Sequence, residues 1–222
     1  MKENATPICY IVGAGELNAP LSFVPCESDF VIAADGGLRY LAEAGIRVDL
    51  LIGDMDSVQS TNYKLQITNS DRNATEQAIL LPVEKNETDL YAAIQVGLQK
   101  GYKAFHIYGG LGGSMRHTVA SIQCLKMLAL KNCRGYLFGN GEVLTAIHNE
   151  SIAFSADCRG FISVFSLGEY AVGVTLKNLK YPLKNYTMPD IYPVGVSNEF
   201  TGAQALVSVQ DGTLLLVYNN CP

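Results

Sequence analysis

A handful of short segments in this 222-residue chain bring together residues suited to chemistry on a polyanion. The sharpest is Gly53-Asp54-Met55-Asp56-Ser57. On an extended backbone, carboxylates at i and i+2 point to one side. Asp54 and Asp56 would then supply hard oxygen ligands of the kind Mg2+ takes. An acidic turn capping the next segment has the same composition, but the position directly after an apolar strand favours the metal. In Lys85-Asn86-Glu87-Thr88-Asp89, Thr88 suits a helix N-cap, and Asp89 sits where a helix dipole favours an anion. That accounts for the segment structurally. The chemical reading makes Asp89 a third acidic ligand and Lys85 a phosphate contact.

Gly109-Gly110-Leu111-Gly112-Gly113-Ser114 has four glycines in six residues. The backbone N–H groups of Gly110, Gly112 and Gly113 can approach a polyphosphate there, and the start of the following helix favours it. No Gly-Lys-Ser/Thr follows, so this is not a Walker A loop. Arg116, just beyond, either reaches back over the loop or is a solvated first-turn residue. Asp35-Gly36-Gly37 also follows an apolar run, where either a phosphate contact or a simple turn explains it. Gly13-Ala14-Gly15 falls short of the dinucleotide fingerprint, because Asn18 stands where the third glycine belongs.

These segments fall between elements that alternate in type. Apolar runs at 8–12, 30–34, 48–52, 78–81, 104–108 and 135–138 read as strands. Leu38, Leu41 and Ala42 recur at helical spacing and stop at Gly45. The segments 89–100 and 118–131 read as helices. The alternation predicts an α/β domain over residues 1–140, a mainly parallel, Rossmann-like sheet flanked by helices. Ligands of such sheets bind beyond the C-terminal strand ends, where the polar and glycine-rich segments lie. Asn140-Gly141 is a hairpin dipeptide. Beyond it come only strand patterns, at 143–147, 161–167, 172–177, 205–209 and 214–218, the last two joined by an expected hairpin at Asp211-Gly212. Residues 141–222 therefore read as a small all-β sandwich.

Hydrophobic residues make up 48 % of the chain, ample for a packed core. The formal net charge of −5 argues against a duplex nucleic-acid partner, which needs a basic face. The apolar runs are far shorter than the ~20 residues of a membrane span, and 8–12 is too short for a signal-peptide core. A cytoplasmic protein is expected. The six cysteines form no CxxC pair and stand by no histidine at zinc spacing, so they read as buried small hydrophobes.

Taken in order, the motifs resemble the thiamine pyrophosphokinase family. Its pattern of DGG, GDxDS, K-x-x-TD and GGxGGRxDH corresponds to Asp35–Gly37, Gly53–Ser57, Lys85–Asp89 and Gly109–His117. In the β half, Gly173-Val174-Thr175, Leu179–Leu183 and Gly195-Val196-Ser197-Asn198-Glu199-Phe200 are similar to the family's C-terminal signature. The family's R-x-D-H stands here as Ser114-Met115-Arg116-His117. The resemblance implies transfer of a pyrophosphoryl group from ATP to thiamine, with AMP leaving, in a homodimer with sites at the subunit interface. It further implies Asp54, Asp56 and Asp89 at a Mg2+–ATP centre and Ser197 and Asn198 near thiamine. Related readings are a pyrophosphokinase for another primary alcohol, such as a pterin, and a non-catalytic thiamine or nucleotide binder.

Overall fold

The structure, a computed structural model, describes residues 6–17, 19–53 and 87–221, and the backbone of 77–80. The chain divides into two compact units. One is Met1–Ser121 with Leu137–Asn140, the other Ile122–Tyr136 with Gly141–Pro222.

The first unit is built on a parallel sheet. Its strands are β1 (Ile8–Val12), β2 (Phe30–Ala34), β3 (Leu50–Gly53), β4 (Gln77–Leu80) and β5 (Ala104–Tyr108). They lie in the order β5-β1-β2-β3-β4, every pair parallel. Strands covered on both faces need apolar residues at successive positions, and Cys9–Val12 and Val31–Ala34 are buried without interruption. On one face, Tyr10, Val12, Val31, Ala33 and Leu51 pack against Leu38 and Leu41 of helix α1 (Gly37–Glu43). On the other lies α2 (Asp89–Gln99), whose Gly97 lets it sit close. A Cβ there would come within 2.6 Å of the Phe105 ring and 2.9 Å of Cys9 Sγ.

The β1–β2 connection contains no helix among its described residues. It crosses the sheet as a strap. Phe23 stacks on Tyr10 at 4.1 Å and on Tyr108 at 5.1 Å. At its far end the buried Asp29 accepts from the Ile8 N–H through Oδ1 (2.8 Å) and from the Cys26 N–H through Oδ2 (2.7 Å). After β5 come α3 (Met115–Leu130) and β6 (Arg134–Gly139), both of which run through the division between units. The helix starts before the expected Thr118, because the Ser114 carbonyl accepts from the N–H groups of His117 and Thr118.

Asn140 and Gly141 both have positive φ (55° and 75°), as the hairpin dipeptide predicts. The second unit holds β7 (Glu142–His148), β8 (Ser151–Phe154), β9 (Phe161–Ser166), β10 (Tyr170–Lys177), β11 (Leu183–Pro189), β12 (Asn198–Glu199), β13 (Ala205–Ser208) and β14 (Thr213–Asn219). They form two antiparallel layers, β12-β9-β14-β7 and β11-β10-β13-β8, in contact where Phe154 meets Tyr218 at 5.0 Å. Asp211-Gly212 is not a hairpin turn. β13 and β14 belong to different layers, and the chain crosses between them where Asp211 bridges Val172. β8, β11 and β12 escape the sequence patterns. β11 is mostly polar and solvent-facing at a layer edge, and β12 is too short to show alternation.

The cysteines depart from expectation. Cys9, Cys124 and Cys133 are buried and free, and burial pushes the Cys9 thiol up to about 12 and Cys124 to about 11. Cys26 is exposed, whereas Cys158 and Cys221 form a disulfide with Cα atoms 4.9 Å apart. Their separation of 63 residues hid the pair from a reading by spacing. They meet because Cys158 precedes β9, Cys221 follows β14, and those strands are paired. Protein unfolded without reductant should therefore titrate four thiols rather than six with a chromogenic disulfide. Six would show that the pair is reduced as isolated.

Candidate functional site

The chain builds β1 through β4 outward in one direction and then places β5 on the opposite side of β1. The strand order thus reverses between β1 and β5, the place where open parallel sheets form a ligand crevice. Three turns stand in a row at the C-terminal ends of β5, β1 and β2; the first two interlock through their backbones, and the third is tied to the end of β3. Gly13 N–H donates to the Tyr108 carbonyl (2.8 Å), Gly15 N–H to Gly109 (2.9 Å), and Asp35 N–H to Ile52 (2.7 Å).

Glycine makes this approach possible. A Cβ on Gly15 would lie 2.5 Å from the Gly109 oxygen, and one on Gly109 would lie 2.4 Å from the Gly13 oxygen. One on Gly37 would lie 1.9 Å from the Val12 oxygen. Real Cβ atoms do not approach backbone oxygens so closely. Gly13-Ala14-Gly15, weak as a motif, is thus a clasp on the glycine-rich loop.

Asp35 follows β2 with φ of 51°, and Gly53 leaves room for it: a Cβ on Gly53 would sit 3.1 Å from the Asp35 Cα. Its Oδ1 is buried with no hydrogen-bond partner among the described residues. Gly36 caps α1, and Gly37 is its first residue.

The glycines of the loop divide in role. A Cβ on Gly109, which also has positive φ (65°), would strike the Gly13 backbone, and one on Gly110 would meet Leu137 at 2.7 Å. Gly112 and Gly113 have positive φ (78° and 64°), with open space at Gly113. The tip thus carries no side chain of its own at these two positions. Ser121 Oγ fixes the base of the loop by donating to the Gly110 carbonyl (2.9 Å). Arg116 is the second residue of α3, and its Nε donates to Ser114 Oγ (3.3 Å), so the side chain folds back toward the loop.

Asp89 is the first residue of α2, after Thr88, whose Oγ1 accepts from the Tyr91 N–H (3.2 Å). Asp54, Asp56 and Lys85 lie outside the described residues. Among the described residues no three His, Cys, Asp or Glu cluster as a metal site.

In the second unit Ser197 has φ of 56°, and its N–H donates to Ser163 Oγ (3.0 Å). Asn198 is buried and holds Tyr181 by both backbone edges. Its Oδ1 accepts from the Tyr181 N–H (2.9 Å), and its Nδ2 donates to the Tyr181 carbonyl (2.7 Å). Tyr181 itself is 59 % exposed. Sequence reasoning singled out neither the clasp nor this anchoring, since neither has a local composition signal.

Residues 25–137 match the family description "Thiamin pyrophosphokinase, catalytic domain", and residues 150–214 match "Thiamin pyrophosphokinase, vitamin B1 binding domain". The chain belongs to the thiamin pyrophosphokinase family. It is 27 % identical over 191 residues to the thiamine pyrophosphokinase of Bacillus subtilis, covering 84 % of this chain and 85 % of that one. The fold is shared with the crystal structure of a Bacillus subtilis thiamine pyrophosphokinase, with a TM-score of 0.84, 24 % identity, and coverage of 97 % of this chain and 100 % of that one. A thiamin pyrophosphokinase from Geobacillus thermodenitrificans gives 0.79 at 25 % identity, covering 96 % and 97 %. Membership in the thiamin pyrophosphokinase family makes this chain a diphosphate-transferring enzyme. No helix among its described residues is long and apolar enough to cross a membrane.

Proposed function

We propose that this chain moves the pyrophosphoryl group of ATP onto the hydroxyl of thiamine, releasing AMP, with the nucleotide bound along the interlocked strand ends of the first unit. The observation that carries this reading is the clasped glycine-rich loop at the point where the strand order reverses, open at Gly113. Such a Rossmann-like arrangement receives phosphates on backbone N–H groups.

The residues fit Mg2+. A buried carboxylate oxygen without a donor, as at Asp35, is costly unless a cation faces it. Asp54, Asp56 and Asp89 would hold the ion, with Asp35 on the cation's side rather than against phosphate. When bound, Mg2+ neutralises charge on the phosphate oxygens during transfer. The protein's own part is positioning. The loop fixes the phosphates, Lys85 and Arg116 add positive charge, and a carboxylate of the acidic set takes the hydroxyl proton.

Thiamine belongs, in this reading, to the second unit, around Ser197 and Asn198. Asn198→Ala should leave the Tyr181 backbone without its partners and raise the thiamine KM about tenfold, the worth of one lost hydrogen bond, with the ATP KM little changed. Steady-state kinetics with each substrate varied decides it, and an equal rise in both constants removes the division of labour. A homodimer is supported by Ile191, Tyr192 and Val196, which are 88 %, 62 % and 46 % exposed, an apolar surface suited to a second copy.

The direct test supplies Mg2+–ATP and thiamine and measures AMP and thiamine diphosphate in equal amounts. AMP formation with a pterin alcohol but not with thiamine would overturn the acceptor assignment.

A further inference from the structure

We propose that Glu16 is a specificity-determining residue of the nucleotide site, its carboxylate accepting hydrogen bonds from the ribose hydroxyls. This rests on reading the Gly109–Gly113 loop as the phosphate site. The clasp leads the chain from β1 across that loop and leaves Glu16 beside its tip. Glu16 Cβ lies 3.7 Å, and Oε2 3.9 Å, from where a Cβ on Gly112 would stand. The placement is imposed by the backbone, because Gly13 and Gly15 are tied to Tyr108 and Gly109 and neither tolerates a side chain.

A carboxylate at that place can engage a bound nucleotide only through a cation or a donor. It accepts hydrogen bonds but cannot donate them, and it repels phosphate oxygens. The cation can be placed elsewhere. Asp35, whose Oδ1 is buried, follows β2 with its backbone beside Gly53, whereas Glu16 follows β1 and lies beside the β5 loop. In this reading the ion is held by Asp54 and Asp56, which follow β3 in the sequence, and by Asp89 at the start of α2, and Glu16 is not among them.

Donors are left. On a nucleoside triphosphate, the neutral donors nearest the α-phosphate are the 2′ and 3′ hydroxyls of the ribose. With the transferred phosphates toward β3 and the α-phosphate on the glycine tip, the ribose falls beside Glu16. The exposed side chain is open to receive it.

Equilibrium binding of ATP, 2′-deoxy-ATP and 3′-deoxy-ATP to the full chain, measured calorimetrically with Mg2+ and without thiamine, tests the assignment. The unsubstituted protein should bind at least one deoxy analogue about 10- to 100-fold more weakly than ATP, the size of a lost charge-assisted hydrogen bond. Glu16→Ala should bind all three alike, at the weaker level. Glu16→Gln, which keeps an acceptor oxygen without the charge, should fall between. A melting curve establishes that each variant is folded, and Glu16→Gln carries the comparison if Glu16→Ala is not. Undiminished discrimination in the variants, or none in the unsubstituted protein, overturns the role of Glu16 while leaving the phosphate loop standing. Equal tightening of all three ligands in Glu16→Ala also overturns it, since the carboxylate would then merely repel phosphate. Absence of any nucleotide binding to the unsubstituted protein removes the loop reading and this proposal together.

Discussion

Asp54→Asn and Asp56→Asn should each lower kcat/KM by about 10³-fold or more while the protein still folds. Each change removes one anionic oxygen ligand and keeps nearly the same shape. What is lost is metal affinity and charge neutralisation during transfer, worth several kcal/mol. The folding core should be little affected, because the residues packed on β3, Leu50 to Gly53, precede both positions. Thiamine-dependent AMP release should be followed across a Mg2+ titration, with a thermal melt alongside. A defect in metal binding should be partly relieved at high Mg2+. Near-normal turnover at low Mg2+ in either variant would mean that the pair does not hold the ion.

Arg116→Ala should cost about 2–3 kcal/mol in kcat/KM, a loss of roughly 30- to 150-fold, as for other charge-assisted contacts. The structure places its Nε on Ser114 Oγ, at the head of α3 and against the open end of the glycine-rich loop. Without substrate, a guanidinium there is mildly disfavoured by the helix dipole, and an incoming phosphate reverses the balance. Arg116→Lys should recover only part of the loss, because a point charge cannot replace the planar fork. If kcat/KM is unchanged for both substrates in Arg116→Ala, the loop binds through its backbone alone.

The alternation of apolar runs and helical spacings is enough to place the parallel sheet, and Asp35–Gly37 and the Gly109–Gly113 loop stand at its strand ends because those ends are where loops must carry polar residues. The apolar pattern shows α3 only from Thr118, so its first turn, which begins at Met115, is not legible from periodicity. Legibility failed where a residue's partner is remote. Gly15 meets Gly109, Asn198 meets Tyr181, and Cys158 meets Cys221 only after the strands have paired. Asp211-Gly212 misled for the same reason. A turn dipeptide reports a change of direction, and only packing decides whether the strands on either side share a layer.

The strap between β1 and β2 is fastened at its head by Gly13 and Gly15, in its middle by Phe23 between two tyrosines, and at its foot by Asp29. Surface connections ordinarily absorb insertions and deletions at little cost. With three fixed points this one has no slack on the described stretch from Phe23 to Asp29, so a residue added there must either unstack Phe23 or pull Asp29 from the Ile8 and Cys26 amides. New termini made by circular permutation, or an inserted reporter peptide, are therefore better placed at the exposed turn of Asn140 and Gly141 than anywhere along the strap.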